Sequence, residues 1–217
     1  MKPLYSILHA SARETKWASA MQTWLARCAS PENVEYVLSS DDPWDVPGLA
    51  YGWGRFVIAP NRGPRTSVSA WNTAAGVSSG HIILTIADDL VPPEGWDAKL
   101  LEAIPPERLN SDFVIEVSHG GNDNILSFAF LSRHYYERFG YVYYPEYRGM
   151  RNDDDFSDVA RMNGVIINAR HLMFQHLHPH YGLSEIDDVY RHQHDPENYR
   201  LGDEIYARRK KKEKGGV

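Results

Sequence analysis

Residues 81–89 read HIILTIADD, and this stretch decides the fold. The apolar, mostly β-branched run at residues 82–86 predicts a short strand buried on both faces of a sheet. The run leads directly to Asp88 and Asp89, so two carboxylates stand where a buried strand ends. Neighbouring carboxylates repel each other, and burying them costs free energy unless a cation or hydrogen-bond donors compensate. Hard oxygen ligands suit Mg²⁺ or Mn²⁺, although two acids that only cap the next helix give the same pattern.

Strands and helices alternate on both sides of this stretch. Apolar runs predict strands over residues 4–9, 34–38 and 56–59, and helical spacing of apolar residues predicts helices over residues 17–28, 66–75 and 94–103. Such alternation implies parallel pairing, and the carboxyl ends of parallel strands meet at one edge, where ligands bind. The residues expected at that edge are Ala10, Ser11, Arg13, Asp41, Asp42, Asn61, Arg65, Asp88 and Asp89.

The second half of the chain mixes the two kinds of element less regularly. It has predicted strands over residues 113–117, 126–131 and 165–167, and predicted helices over residues 132–139 and 153–162. We therefore expect a single α/β domain over residues 1–206, with a mixed central sheet flanked by helices and with halves at residues 1–110 and 111–206. Residues 207–217, ARRKKKEKGGV, predict a disordered basic tail, which is either solvated or in contact with an anion or nucleic acid.

Composition narrows the class of protein. The chain has 217 residues, of which 42% are hydrophobic and 24% charged, enough for a packed core. Its net charge is -6, and removing the +5 of the tail leaves about -11, which argues against broad binding to duplex DNA. The single cysteine, Cys28, predicts a reducing compartment without disulfides. No run resembles a membrane span or a secretory leader, so we expect a soluble cytoplasmic protein, in the host cytoplasm if the gene is viral.

Residues 61–100 resemble the core of family 2 glycosyltransferases with the GT-A fold. That family has an Asn-x-Gly turn, a helix with a central Asn, a Gly at the helix end, an apolar strand, an Asp-rich motif and a downstream Pro. The matching residues here are Asn61, Gly63, Asn72, Gly80, Asp88, Asp89 and Pro93. The first Asp of the family's usual Asp-x-Asp would fall on Ile86, so Asp88 matches the second, metal-binding Asp. The resemblance covers about residues 4–180, and the chain is similar to small, soluble domains associated with bacteriophage genomes.

The resemblance implies a nucleoside-diphosphate sugar as donor, with a UDP-sugar favoured, and Mn²⁺ or Mg²⁺ on its diphosphate. It assigns the nucleoside to the turn at Ala10, Ser11 and Arg13 and to the acids after the second strand, Asp41 and Asp42. The other residues expected to serve the donor are Asn61, Arg65, Asn72 and Asp88, and the expected metal ligands in this block are Asp88 and Asp89.

A second match covers residues 152–164, NDDDFSDVARMNG. The family carries Glu-Asp-x-Asp-Leu there, followed by a helix that ends at Gly. With the match aligned on Gly164, Asp153 falls on the catalytic Asp, Asp155 on the second acid, and Asn152 replaces the Glu. The resemblance implies that Asp153 deprotonates the acceptor hydroxyl in an inverting reaction. Three acids at a helix N-terminus also occur for reasons of the helix dipole alone.

Residues 176–180 read HLHPH, and an extended segment places His176 and His178 on the same side. The resemblance implies that a C-terminal histidine joins the metal, so both are candidate ligands beside the Asp pair. Zinc bound by the histidines alone is the alternative. Asp187 and Asp188 follow shortly downstream, and their role stays open.

The function predicted from these residues is transfer of a sugar to a hydroxyl acceptor, which is a modified DNA base, a protein or a glycan. A sugar nucleotidyltransferase is one alternative, because it shares the metal, the carboxylates and the sheet. The other is a domain that binds nucleotide sugar or metal without turnover, because Ile86 and Asn152 depart from the family pattern. The chain lacks Gly-x-x-x-x-Gly-Lys and Gly-x-Gly-x-x-Gly, which argues against ATPases and dinucleotide enzymes.

Overall fold

The first four strands form the parallel half of a seven-stranded sheet. The computed structural model describes residues 2–42, 52–121 and 124–215, with side chains as far as residue 211. The strands of this half are β1 (Tyr5–Ala10), β2 (Val34–Ser39), β3 (Arg55–Ile58) and β4 (Ile82–Ile86). β1 pairs in parallel with β2 and with β4, and β2 pairs in parallel with β3. The alternation of elements in the sequence therefore predicts this half correctly.

The remaining strands make the sheet mixed, as expected. They are β5 (Leu90–Val91), β6 (Val114–Ser118), β7 (Phe130–Ser132), β8 (Ile166–Met173) and β9 (Gln175–His176). The order across the main sheet is β3-β2-β1-β4-β7-β6-β8. β7 runs antiparallel to β4 and β6, whereas β6 and β8 are parallel to each other. β5 and β9 form a separate antiparallel pair beside the end of β4.

Helices flank the sheet. They are α1 (Trp17–Ala26), α2 (Ser67–Val77), α3 (Trp96–Ala103), α4 (Arg133–Phe139), α5 (Asn152–Met162), α6 (Asp188–Gln193) and α7 (Pro196–Gly215). α2 packs on β1 and β2 and begins after Thr66, whose hydroxyl accepts from the Ser69 N–H. α4 ends, as predicted, at Gly140, which has a φ of 72°. None of the helices in the described part of the chain has both the length and the apolar character needed to cross a membrane.

Two tryptophan side chains fix the backbone on both sides of the acidic pair. The indole N–H of Trp71, on α2, donates to the Ile86 carbonyl at 2.9 Å. The indole N–H of Trp24, on α1, donates to the Leu90 carbonyl at 2.8 Å. Each indole satisfies its own buried donor in this way. The short segment between β4 and β5 is therefore held from two helices.

The structure shortens one predicted strand and lengthens another. β7 begins at Phe130, although the apolar pattern predicts a strand from residue 126. The Ala129 N–H donates to Thr85 Oγ1 at 2.8 Å and to Tyr143 Oη at 3.0 Å, so its partners are side-chain oxygens and not the carbonyl of a neighbouring strand. β8 continues to Met173, beyond the predicted end at residue 167. Polar residues separate the buried positions in this part of the strand, so a search for apolar runs did not detect it.

α7 differs from the disordered tail predicted over residues 207–217. Residues 207–215 continue the helix, and residues 216–217 lie outside the described part. Lys and Arg are good helix formers, and acids on neighbouring elements compensate their charge. Arg209 Nε lies 2.8 Å from Asp155 Oδ1, and Lys210 Nζ lies 2.9 Å from Asp158 Oδ2. The basic run predicted to be disordered thus has partners in the fold over part of its length.

Candidate active site

A hydrogen-bonded cluster of four predicted site residues lies at the carboxyl ends of β2 and β3. Asn61 Nδ2 donates to Asp41 Oδ1 at 2.6 Å, and Arg65 Nη2 donates to Asp42 Oδ2 at 2.6 Å. Arg65 Nε is also 3.7 Å from Asp41 Oδ2. Asn61 Oδ1 accepts from the Gly63 N–H at 3.2 Å, which shapes the turn. Arg65 and Asp42 are exposed, so this cluster is open to a ligand.

The turn after β1 holds the next predicted residues against β2. Ala10 pairs with Ser39, and the Ser11 N–H donates to the Ser39 carbonyl at 3.1 Å. Ser11 Oγ then accepts from the Arg13 N–H at 3.1 Å. This turn directs the Arg13 side chain across the sheet edge.

Asp88 lies in a chain of side-chain hydrogen bonds and is only 2% exposed. Its Oδ1 is 3.0 Å from His9 Nε2, and its Oδ2 accepts from Arg13 Nη1 at 3.2 Å. His9 Nδ1 is in turn 2.5 Å from Tyr36 Oη. Because protein groups already cover and neutralise Asp88, the structure favours Asp89 for contact with a cation. A metal-ligand role for Asp88 stays a prediction.

Sequence reasoning missed His9 and Tyr36 because both lie in strands predicted from apolar residues. Both are fully buried. Burial and the Asp88 charge raise the pKa of Tyr36, which keeps its hydroxyl protonated. With the Tyr36 hydroxyl donating to Nδ1, the other ring nitrogen of His9 can donate to Asp88. The available signal was the position of His9, one residue before the end of β1, because the residues that follow this strand were already expected at the site.

Asp89 and His176 face each other where β4 leads into the β5–β9 pair. Asp89 Oδ1 is 3.4 Å from His176 Nε2, and the Leu177 N–H donates to the Asp89 carbonyl at 2.8 Å. The side chains are 26% and 17% exposed, respectively. Burial tends to raise the pKa of Asp89, but His176 and Arg13 hold that pKa below its ordinary value. This accessible pair is the part of the predicted metal cluster that the structure brings together.

Two protein ligands suit a divalent cation whose remaining coordination positions are filled by a diphosphate. Among the residues that the structure describes, no group of three or more His, Cys, Asp or Glu could hold a metal ion. Mg²⁺ is commonly bound through one or two protein groups plus substrate phosphates and water. An imidazole ligand favours Mn²⁺ over the harder Mg²⁺. The described residues give no support to a zinc site of histidines alone, which needs three or four ligands.

His178 belongs to a group of packed rings. Its Nδ1 accepts from the His180 N–H at 3.1 Å, and its ring centroid is 4.8 Å from that of His176. The rings of Tyr190 and His194 lie 5.5 and 5.8 Å away. Burial and the neighbouring histidines lower the pKa of His178 to about 4. The carboxylate contact of His176 makes it the stronger candidate ligand, and His178 stays a prediction.

Asp153 lies in the first turn of α5, where the sequence predicts it. Its Oδ1 accepts from the Asp154 N–H at 3.0 Å. Burial, followed by the Asp154 charge, raises the pKa of Asp153 to about 6. Such a carboxyl is mostly ionised at neutral pH and more basic than an ordinary one. Asp155, by contrast, is bound by Arg209 Nε at 2.8 and 2.9 Å and serves the packing of α7.

The residue before α5 has a strained backbone. Arg151 has a φ of 65°, the one positive value for a non-glycine residue in the described part of the chain. Such conformations cost about 1–3 kcal/mol and persist where the surroundings hold them. Arg151 Nε binds Asp203 Oδ1 at 2.7 Å, and a Cβ on Gly202 would lie 2.7 Å from the Met150 carbonyl oxygen. Close packing of α7 therefore holds the turn that directs Asp153.

Tyr143 links α5 to β4. Its Oη is 3.3 Å from Thr85 Oγ1 on β4, and its ring centroid is 5.6 Å from that of Phe156 on α5. Burial and the nearby Asp153 charge raise the pKa of Tyr143. The candidate base and the strand that leads to Asp89 thus share one buried aromatic neighbour.

Asn72, on α2, binds the backbone of the segment that contains Tyr143. Its Oδ1 accepts from the N–H groups of Val142 and Tyr143 at 2.9 and 3.2 Å. Its Nδ2 donates to the Tyr143 carbonyl at 2.7 Å. These contacts give Asn72 a structural role, and direct contact with a donor stays a prediction.

We expect Asn72→Ala to lower the free energy of unfolding by about 2 kcal/mol, because backbone groups of Val142 and Tyr143 lose their partners. Urea denaturation would measure the change. Gln22→Ala is the control, since this amide is exposed on α1 and its loss should cost less than about 0.5 kcal/mol. Equal stability of the two variants would contradict the role assigned to Asn72.

Asp187, whose role the sequence left open, attaches α6 to the turn after β1. Arg13 binds it through two bonds, Nε to Oδ2 at 2.6 Å and Nη2 to Oδ1 at 3.1 Å. Lys16 Nζ adds a contact of 3.0 Å, and Asp187 Oδ1 accepts from the Tyr190 N–H at 2.9 Å. The Arg13 hydrogen bonds hold the pKa of Asp187 well below its usual range.

Comparison with protein-family models gives no match, and comparison with curated proteins gives none. Solved structures do match. TarS 1–349 from S. aureus with UDP-GlcNAc gives a TM-score of 0.69 at 15% identity, over 95% of this chain and 66% of that one. A longer S. aureus TarS structure gives 0.65 at 12%, over 89% and 42%. The mannosyltransferase PcManGT from Pyrobaculum calidifontis, with GDP-Man and Mn²⁺, gives 0.57 at 14%, over 94% and 74%.

These structural neighbours are glycosyltransferases, and the chain has their GT-A-like fold. The fold expected from the resemblance is thereby confirmed. Identities of 12–15% establish the fold and leave the reaction to be argued from the site. The chain spans 42% of the longer TarS chain, so activity, substrates and partners are matters for proposal.

Proposed function

We propose that the protein is a metal-dependent glycosyltransferase that moves a sugar from a nucleoside-diphosphate sugar to a hydroxyl. The observation that carries the proposal is the partly exposed Asp89–His176 pair beyond the carboxyl end of β4. Nucleotide ligands of the structural neighbours, UDP-GlcNAc, UDP and GDP-Man with Mn²⁺, support the donor class. Ligands in such sheets bind at the carboxyl ends of strands, where this pair lies.

The nucleoside diphosphate binds along the ends of β1, β2 and β3. Asp41 accepts from a ring N–H of the base, and its hydrogen bond from Asn61 fixes the direction of its carboxylate. Ala10 and Ser11 form the floor beneath the nucleoside. Arg65, which is exposed, binds a phosphate oxygen. UDP is the favoured nucleotide, and GDP is tested beside it.

Asp89 and His176 would hold Mn²⁺ or Mg²⁺ beside the diphosphate of the donor. A divalent cation bound there supplies positive charge against the diphosphate as it leaves. Arg13 adds a second positive charge beside the pair, since it contributes to the lowered pKa of Asp89. Asp88 and His9 fix the direction of Arg13 and need no contact with the substrate.

Asp153 is the general base. The acceptor proton moves to the Asp153 carboxylate while the acceptor oxygen forms its bond to the anomeric carbon. The bond from that carbon to the diphosphate breaks, and the electron pair leaves with the nucleoside diphosphate. Attack opposite the leaving group inverts the anomeric configuration. The acceptor is specified only as a hydroxyl group, because a modified DNA base, a protein and a glycan each present one.

Calorimetric titration with UDP, GDP and UDP-sugars, each with and without Mn²⁺, tests the donor class. We expect Mn²⁺ to strengthen binding of one nucleotide at least about tenfold, and Asp89→Asn to remove that gain, because the cation loses its carboxylate. Asp112→Asn is the matched control. Asp112 has similar exposure, 29%, and precedes β6, which runs parallel to β4, so it lies at the opposite edge of the sheet.

The outcomes separate the candidate functions. A Mn²⁺ effect that survives in Asp89→Asn would contradict the proposed metal pair. Binding of no nucleotide by the folded protein would contradict the glycosyltransferase proposal itself. Release of pyrophosphate from a nucleoside triphosphate and a sugar phosphate would indicate a nucleotidyltransferase instead.

A further inference from the structure

Asp187 occupies a position that suits a phosphate group. Its two oxygens receive the paired N–H groups of Arg13 Nε and Nη2, and Lys16 Nζ lies 3.0 Å away. The same fork geometry of arginine fits carboxylate and phosphate equally, and lysine adds a point charge to either. Asp187 is 29% exposed, so solvent and small anions reach it.

Arg13 divides its donors between two acids. Its Nη1 binds Asp88, which is buried, and its Nε–Nη2 edge binds Asp187. The edge directed at Asp187 is therefore the one that an incoming anion can take. Arg13 Nη1 is 3.2 Å from Asp88 Oδ2, and Asp88 directly precedes Asp89, so the guanidinium lies close to the proposed cation pair. A diphosphate held through a cation at Asp89 would come within reach of this edge.

We propose that Asp187 is an internal competitor of the donor, whose carboxylate occupies the Arg13–Lys16 anion site until the diphosphate replaces it. Asp187 thereby sets the affinity for the donor. The inference rests on the proposed function for the identity of the anion, a nucleoside diphosphate. The site itself follows from the contacts of Arg13 and Lys16.

The exchange also changes how one segment is attached. Residues 177–187 begin at the Leu177 N–H, which donates to the Asp89 carbonyl, and end at Asp187, which is bound to Arg13. Replacement of Asp187 by phosphate removes the second attachment and leaves the first. Donor binding and the attachment of α6 are therefore coupled through the Asp187 carboxylate.

Asp187→Asn tests the proposal with little disturbance of the fold. Asn is as good an N-cap as Asp, so the bond from the Tyr190 N–H is kept while the negative charge is lost. Asp188→Asn is the matched control, since its fully exposed side chain lies one residue further along and loses the same charge. Thermal unfolding of all variants confirms that each is folded.

The probes are inorganic pyrophosphate with Mg²⁺, and UDP and GDP with Mn²⁺, titrated into each variant. We expect Asp187→Asn to bind pyrophosphate and the favoured nucleotide about five- to twentyfold more tightly than the parent chain. The affinity of Asp188→Asn should stay within about twofold of that of the parent chain, because salt screens the repulsion from a fully exposed charge. Equal or weaker binding by folded Asp187→Asn overturns the proposal.

The two proposals fail in different ways. If nucleotide binds with equal affinity to the parent and to Asp187→Asn, the proposed donor class stands and the competitor role is rejected. If pyrophosphate binds more tightly to Asp187→Asn while no nucleotide binds, the competitor role stands and the donor class is rejected. If neither pyrophosphate nor nucleotide binds to any variant, both are rejected.

Discussion

Asp153→Asn is expected to lower the rate of sugar transfer by about 10³-fold while the affinity for nucleotide stays unchanged. Asn keeps the size of the side chain and the oxygen that accepts from the Asp154 N–H, but it cannot take the acceptor proton. Release of nucleoside diphosphate from the donor, with water or an added hydroxyl compound as acceptor, measures the rate. A variant that keeps its turnover would remove Asp153 as the base.

The same substitution should make the protein more stable. The folded-state pKa of about 6 lies above the ordinary 3.8, so the folded chain binds more protons than the unfolded chain between those values. Asp153 therefore favours folding below about pH 4, and this contribution is lost as pH rises through about 6. Two pKa units correspond to about 3 kcal/mol, and partial exposure reduces the expected gain at neutral pH to about 1–2 kcal/mol.

The pH dependence of transfer gives an independent check. Turnover of the parent chain should fall as pH drops below about 6, since protonated Asp153 cannot act as base. Asp154→Asn is the control and should keep turnover within about threefold. It should also move the acid limb to lower pH, because the Asp154 charge helps to raise the pKa of Asp153. An acid limb unmoved in Asp154→Asn would assign the titration to another group.

Asp88→Ala should lower the free energy of unfolding by about 3 kcal/mol, the second large effect we expect. Its removal leaves His9 without its carboxylate partner and leaves one edge of Arg13 unpaired in a site that is nearly closed to water. Asp89→Ala, one residue further on, should cost less than about 1 kcal/mol because its partner His176 remains accessible to solvent.

Urea denaturation of both variants at neutral pH measures this contrast. If Asp88 stabilises the fold and Asp89 binds the cation, Asp89→Ala should remain stable but lose the Mn²⁺ effect on nucleotide binding. Equal stability of the two variants would show that the buried chain through His9 contributes little. A larger loss in Asp89→Ala would reverse the roles assigned to the two carboxylates.

Much of the first half of the fold could be predicted because its signals are local. The apolar runs that become β1, β2 and β4 are wholly buried, and the polar residues that follow them meet at one edge, as parallel pairing requires. Adjacency along the chain could not reveal which acid faces the core. That depends on His9, which pairs with Ile86 across β1 and β4 and reaches Asp88 from a strand 79 residues away.

The second half was predicted less well because long-range contacts decide it. Asn72 was expected to serve the donor, yet its amide binds the backbone of residues about 70 positions further along. The basic run after residue 206 gives no local sign that Asp155 and Asp158 lie beneath it. Position in sequence thus proposed Asp153 as a candidate base, whereas the surroundings that raise its pKa come from the packing of α5.

The packing of α7 on the turn before α5 has a consequence for the order of folding. The parallel strands β1, β2 and β4 pair within the first 90 residues, so this half can form early as the chain emerges from the ribosome. The strained turn at Arg151 gains its Asp203 partner, and Asp155 gains Arg209, only after some 50 further residues have been made. Contacts closed over so long a loop form late. A nascent chain would therefore form the proposed nucleotide-binding edge before the proposed base is in position.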